Sequence, residues 1–246
     1  PPIRKLIPFA EEAVRKGLKV YKLNIGQPDI PTPAVALEAV RNISLKVLEY
    51  SHSAGNESYR RKLAGFYRSI GIEVDYTDIL ITTGGSEAVM FAMLTCLDPG
   101  DEIITSEPLY ANYNGFAVST GVKIVPVTSS IANDFALPGV EEIEKKITSR
   151  TRAILVCNPN NPTGYLYSRE ELSRLRDIVK KHNLYLFSDE AYREFCYDGE
   201  EHFSAMKLDG IEENVVLIDS VSERYSECGV RIGALLTRNR NVIEAA

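Results

Sequence analysis

Asp78-Ile79-Leu80-Ile81-Thr82-Thr83-Gly84-Gly85-Ser86-Glu87 decides the fold: a short apolar run ends in two glycines, and a helical pattern over Glu87–Leu97 follows at once. The same alternation continues to the end of the chain. Apolar runs stand at DILIT (78–82), EIITS (102–106), KIVPV (123–127), AILVC (153–157), LYLFS (184–188), VVLID (215–219) and RIGALLT (231–237). Helical spacing covers Val140–Ile147 and Glu170–His182 between them. Strands separated by helices of about 10–15 residues predict βαβ units. Runs that are apolar throughout, rather than alternating, predict strands covered on both faces. The expected fold is α/β: a three-layer α/β/α domain around a mostly parallel seven-stranded sheet.

Upstream, Ile3, Leu6, Ile7, Ala10, Ala13, Val14 and Leu18 predict an amphipathic helix over residues 3–18. Three prolines and a glycine in NIGQPDIPTP (24–33) exclude regular structure there. A second helix is expected over 33–47. A third, over 57–70, turns Tyr59, Leu63, Phe66 and Tyr67 toward the core.

Composition sets the outer bounds. With 246 residues, 44% of them hydrophobic and 25% charged, the chain has the makeup of a globular protein with a substantial core. The net charge of −6, with no Lys/Arg-rich stretch, points to neither nucleic acid nor a membrane surface as partner. Four scattered cysteines form no CxxC pair and no metal-ligand spacing with the three histidines. Reduced thiols and no metal are expected. No run approaches the roughly 18 apolar residues of a membrane-spanning helix, and the first residues lack an apolar signal core. The expectation is a cytoplasmic, soluble chain.

In such sheets ligands bind beyond the carboxyl ends of the strands, and the chemically useful residues gather there. Thr83-Gly84-Gly85-Ser86 precedes a helix whose free N–H groups suit a phosphate, although a glycine pair alone is more often just a tight turn. Asn158-Pro159-Asn160-Asn161-Pro162-Thr163-Gly164 follows a buried strand as a stiff loop in which an X-Pro bond could be cis. Asn161 offers an amide donor, but it could equally bond its own backbone. Asp189 ends the strand LYLFS, where a carboxylate needs a cationic partner unless it merely caps a turn. Tyr192 lies three residues on. Ser220, Ser222 and Arg231 then supply three phosphate-type donors on one loop, although a surface ion pair is the commoner role for an arginine.

Taken in order, TTGGSEA, PLYANY, NPNNPTG, SDEAY and SxSxxxxxxxGxRxG, with NIGQPDIPTP before them, resemble the class I/II (fold type I) aminotransferases of the aspartate/aromatic type. The likeness runs from about residue 18 to the last residue. It implies pyridoxal 5′-phosphate (PLP) as cofactor and an amino-group transfer between an amino acid, aspartate being one candidate, and a 2-oxo acid. By resemblance, Asp189 pairs with the pyridine nitrogen, Asn161 and Tyr192 bond the phenolic oxygen, and Tyr110 stacks on the ring. Gly85, Ser86, Glu87, Ser220, Ser222 and Arg231 surround the phosphate. Tyr50 would come from the partner subunit of a homodimer, and Gly26, with Asn161, would lie near the substrate carboxylate. Residues 1–33 would form an N-terminal arm with part of a small domain, and residues 34–246 the PLP-binding large domain.

Two departures stand out. Eight residues before Arg231 the family carries the lysine that holds the cofactor as a Schiff base, and here that position is Glu223. Glutamate cannot form an imine, and the neighbouring Arg224 stays protonated and is no substitute. Family members also continue past the equivalent of Ala246 with the rest of the small domain and the arginine that binds the substrate α-carboxylate. A C-terminally truncated chain with impaired transamination is therefore expected. The alternatives are a non-catalytic PLP-binding domain and a PLP-dependent lyase or synthase of the same family.

Overall fold

The computed structural model describes residues 5–246, so Ile3 of the leading helix lies outside it. Seven strands form a single sheet: β1 (Ile79–Thr82), β2 (Glu102–Glu107), β3 (Lys123–Thr128), β4 (Thr151–Cys157), β5 (Tyr185–Asp189), β6 (Val215–Ser220) and β7 (Gly233–Leu236). Their order is β1-β7-β6-β5-β4-β2-β3. β2 to β6 pair in parallel, whereas β7 runs antiparallel to both β6 and β1. The expected three-layer α/β/α fold with its mostly parallel sheet is present.

The pleat sorts the strand side chains into two cores. Ile79, Ile104, Ile154, Leu186, Leu217 and Leu236 pack on one face under α3 (Glu57–Ser69), α6 (Val140–Glu144) and α7 (Arg169–His182). Their sequence neighbours Leu80, Ile103, Leu155, Phe187, Ile218 and Leu235 pack on the other, under α4 (Gly85–Cys96), α5 (Asn112–Thr120) and α8 (Arg240–Ala245). Consecutive apolar residues point to opposite faces of a strand, so an unbroken apolar run is what two covered faces require. Each such side chain, fully buried, contributes roughly 1.5–3 kcal/mol.

Local signals fix the helix starts. Asn56 accepts the N–H groups of Ser58 and Tyr59 ahead of α3, and Ser168 with Glu171 forms a capping box ahead of α7. Several boundaries differ from the sequence reading. The helix expected over 33–47 is α2 (Ala34–Arg41), which ends at Asn42. Beyond it Ile43, Leu45, Val47 and Leu48 are exposed, so no tertiary burial prolongs it. The last strand begins at Gly233 rather than Arg231, because Arg231 has φ +59°, outside the extended region.

The leading helix, α1 (Ile7–Arg15), is shorter than the 3–18 expected and buries no residue. Leu23 and Tyr50 stand almost wholly in solvent. Well-buried structure starts at α3. The sheet direction brings the ends of β1, β4, β5 and β6 to one rim.

Candidate functional site

At one end of the rim β1 gives way to Gly84, which has φ +77°, and α4 starts directly after it. A Cβ on Gly84 would collide with the Arg231 guanidinium, and one on Gly233 would collide with the backbone of Gly84 and Gly85. Two missing side chains thus let β7, the first turn of α4 and Arg231 close on one another. Ser220 ends β6 and Ser222 follows it, with their hydroxyls 2.9 Å apart. Arg231 Nη1 donates to Cys228 O at 2.9 Å and reaches Ser222 Oγ at 3.4 Å. Amide N–H groups at a helix start, two hydroxyls and a guanidinium are the donor set an oxyanion needs.

At the other end Asp189 closes β5 and is buried. Its Oδ2 accepts the Tyr113 hydroxyl at 2.7 Å and its Oδ1 the Ala191 N–H at 3.3 Å. Both donors are neutral. Burial raises the Asp189 carboxyl to about 6; the two hydrogen bonds oppose the rise, and the charge of Glu223 adds to it. Asn161 Nδ2 donates to Tyr192 Oη at 3.2 Å, bringing the loop after β4 to the loop after β5. The Asn158–Pro159 and Asn161–Pro162 bonds of that loop are cis, as is Glu107–Pro108. Tyr110 meets Tyr113 edge-on, with centroids 5.3 Å apart, and accepts from Asn112 Nδ2 at 2.6 Å.

These two ends line one cavity of about 130 Å³. Gly85, Ser86, Ser220, Ser222 and Arg231 line it together with Tyr110, Asn161, Asp189, Tyr192 and Glu223. Asn161, Tyr192 and Glu223 also border an adjoining groove of about 480 Å³ that reaches Gly26. Glu87 is absent from the lining, and its carboxylate accepts the Thr83 N–H at 2.6 Å. Tyr50 is exposed and also lies outside the cavity lining. The four cysteines are free thiols.

Sequence reasoning missed Tyr113, Val89, Phe116 and Cys157. The last three line the cavity, and Tyr113 anchors Asp189 from behind.

The donor set tests what the cavity can hold. A buried carboxylate that raises its own proton affinity for want of a cation fits a protonated aromatic nitrogen. The oxyanion donors across the cavity fit a phosphate. Glu223 does not fit a covalent link to an aldehyde. Burial pushes its carboxyl upward, and neither its own backbone N–H nor the charge of Arg231 cancels that.

The family profile for aminotransferase class I and II matches residues 19–246. Aromatic-amino-acid aminotransferase 2 of Thermococcus litoralis is 33% identical over 95% of this chain and 59% of its own length. Aspartate aminotransferase of Thermotoga maritima is 31% identical over 94% of this chain and 61% of its own. A solved structure of a Thermus thermophilus aspartate aminotransferase double mutant superposes with a TM-score of 0.91 at 32% identity, covering 98% of this chain and 62% of that one. The chain thus spans about three fifths of the relatives it matches.

Proposed function

The chain belongs to the class I and II aminotransferase family, and on that premise we propose that it is the cofactor-binding portion of an enzyme moving an amino group between an amino acid and a 2-oxo acid. The family's cofactor is pyridoxal 5′-phosphate. When bound, it supplies an electron sink for charge developing on the substrate. Residues 34–246 form its large domain in this reading, and residues 1–33 an arm with part of a small domain. That α1 buries no residue supports setting the arm apart.

The roles follow from the groups that meet in the cavity. Asp189 holds the proton of the pyridine nitrogen, and Asn161 and Tyr192 donate to the phenolic oxygen. Tyr110 covers a ring face. Ser86, the first amides of α4, Ser220, Ser222 and Arg231 hold the phosphate. Gly26, at the mouth of the adjoining groove, leaves room for a substrate carboxylate. Tyr50, exposed here, would complete the site of a second copy in a homodimer. Relatives named for aspartate and for aromatic amino acids both match this chain, so the dicarboxylic and aromatic amino acids are the substrate classes to try first.

One observation carries this reading: a buried aspartate without a cation faces an oxyanion-binding helix start across the same cavity. Titrating the protein with PLP, followed by quenching of its 13 tyrosines with no tryptophan to interfere, tests it. Saturable binding that Asp189→Asn weakens at least tenfold is expected. Binding indifferent to Asp189 would overturn it. A second reading, a PLP-binding domain without turnover, is favoured by Glu223, because no amine stands where the covalent link is made.

A further inference from the structure

Asp189 and Glu223 set two carboxylates around one small cavity; the charge of Glu223 disfavours ionisation of Asp189, and burial disfavours ionisation of Glu223. The cation lining the cavity, Arg231, belongs to the oxyanion end with Ser220 and Ser222. A protonated pyridine nitrogen would answer Asp189. It leaves Glu223 unanswered.

The chemistry of the ring fixes what Glu223 would meet. With the ring nitrogen at Asp189, the phenolic oxygen at Asn161 and Tyr192, and the phosphate arm at Ser220, Ser222 and Arg231, one functional substituent remains. It lies between the phenolic oxygen and the phosphate arm, opposite the ring nitrogen. Glu223 adjoins Ser222 in sequence and borders the groove together with Asn161 and Tyr192, so it stands on that side. An aldehyde there gives a carboxylate nothing to bond and places it beside the phenolic oxygen and the phosphate. An aminomethyl group there, protonated at neutral pH, supplies the missing cation.

We propose that Glu223 makes this pocket select the aminated cofactor, pyridoxamine 5′-phosphate, over the aldehyde form by pairing its carboxylate with the ligand's ammonium group. This rests on the cofactor reading above. The cavity then offers two carboxylates for two cationic nitrogens, and a guanidinium with hydroxyls for the phosphate. A charge-assisted hydrogen bond in a half-buried site is roughly twice as strong as a neutral one, and none of it is available to an aldehyde.

The test compares three probes on the cofactor-free protein at neutral pH: pyridoxamine 5′-phosphate, PLP, and 4′-deoxypyridoxine 5′-phosphate, whose methyl group neither donates nor reacts. Tyrosine quenching gives each Kd without any turnover. The amine is expected to bind at least tenfold more tightly than either other ligand. Glu223→Gln should bring the three within about threefold of one another, and Glu223→Ala repeats the comparison with the carboxylate removed altogether. If the amine has no advantage on the unaltered protein, or keeps it in both variants, the proposal is overturned while the cofactor reading stands. If none of the three binds, the cofactor reading falls and the proposal with it.

Discussion

Neighbouring strands carry an aspartate within their last two residues, and the protein treats the two in opposite ways. At the end of β6, Asp219 is gripped by Arg193 at 2.7 Å and Arg224 at 2.6 Å, with Tyr67 donating to it as well. Burial alone would raise its carboxyl, but the two guanidinium charges prevail and hold it below the ordinary carboxylate range. At the end of β5, Asp189 is equally enclosed and has only neutral donors, and burial carries it up to about 6. The fold thus supplies a cation to Asp219 and none to Asp189, which in the proposed function is left for the cofactor to provide. This matches the tendency of displaced proton affinities to gather at functional sites.

Removing the satisfied carboxylate should have the largest effect. Asp219→Asn takes from Arg193 and Arg224 the carboxylate they share and leaves them only the half-exposed Glu194; a loss of about 3–5 kcal/mol in urea unfolding is expected. A loss below 1 kcal/mol would mean that the arginines find other partners and that the contrast is weaker than the distances suggest.

The unsatisfied carboxylate should behave in the reverse sense. Without cofactor, its proton affinity is higher folded than unfolded, so its ionisation destabilises the fold progressively as pH rises from about 4 to about 6. Asp189→Asn removes that penalty. The variant is expected to be the more stable above pH 6, by on the order of 1–3 kcal/mol, and equal to the parent below pH 4. Thermal melts across that window check both halves. The same variant should lose PLP about 100-fold, since removing one partner of a buried charge pair costs binding by 2–5 kcal/mol.

Smaller effects sharpen the picture. Arg231→Ala should weaken PLP roughly 10–100-fold and leave the affinity for pyridoxal, which has no phosphate, unchanged. Equal losses for both ligands would place Arg231 at the ring rather than at the phosphate. Tyr113→Phe removes one neutral hydrogen bond to Asp189, about 0.5–1.5 kcal/mol. It should raise the Asp189 proton affinity further and shift the pH window of the melts upward.

Much of this arrangement was legible in advance, and the limits have physical causes. The seven strands could be read because burial on both faces demands unbroken apolar runs such as Ala153–Cys157. The rim residues could be read because glycine pairs, Asn-Pro loops and strand-end aspartates are local features. The reversal of β7 could not, since GALL is equally apolar in either direction and pairing is set by distant partners. Nor could the left-handed Arg231, whose conformation depends on Gly84 and Gly233 lying close by. Tyr113 sits in NYNGFAVST, a helix of poor helix formers held by tertiary contacts. Two partners of Asp219, Tyr67 and Arg193, lie 152 and 26 residues away in sequence, so that aspartate read as nothing more than the end of VVLID.

The central claim is a cavity built to hold the cofactor with no amine to bind it covalently. Incubation with PLP, borohydride reduction and a peptide-resolved mass spectrum address it directly. Saturable PLP binding with no lysine modified stoichiometrically, and a stoichiometric adduct at position 223 only in Glu223→Lys, is the result expected. A stoichiometric adduct on a lysine of the unaltered chain, or an unmodified side chain at position 223 in Glu223→Lys despite bound PLP, would contradict it.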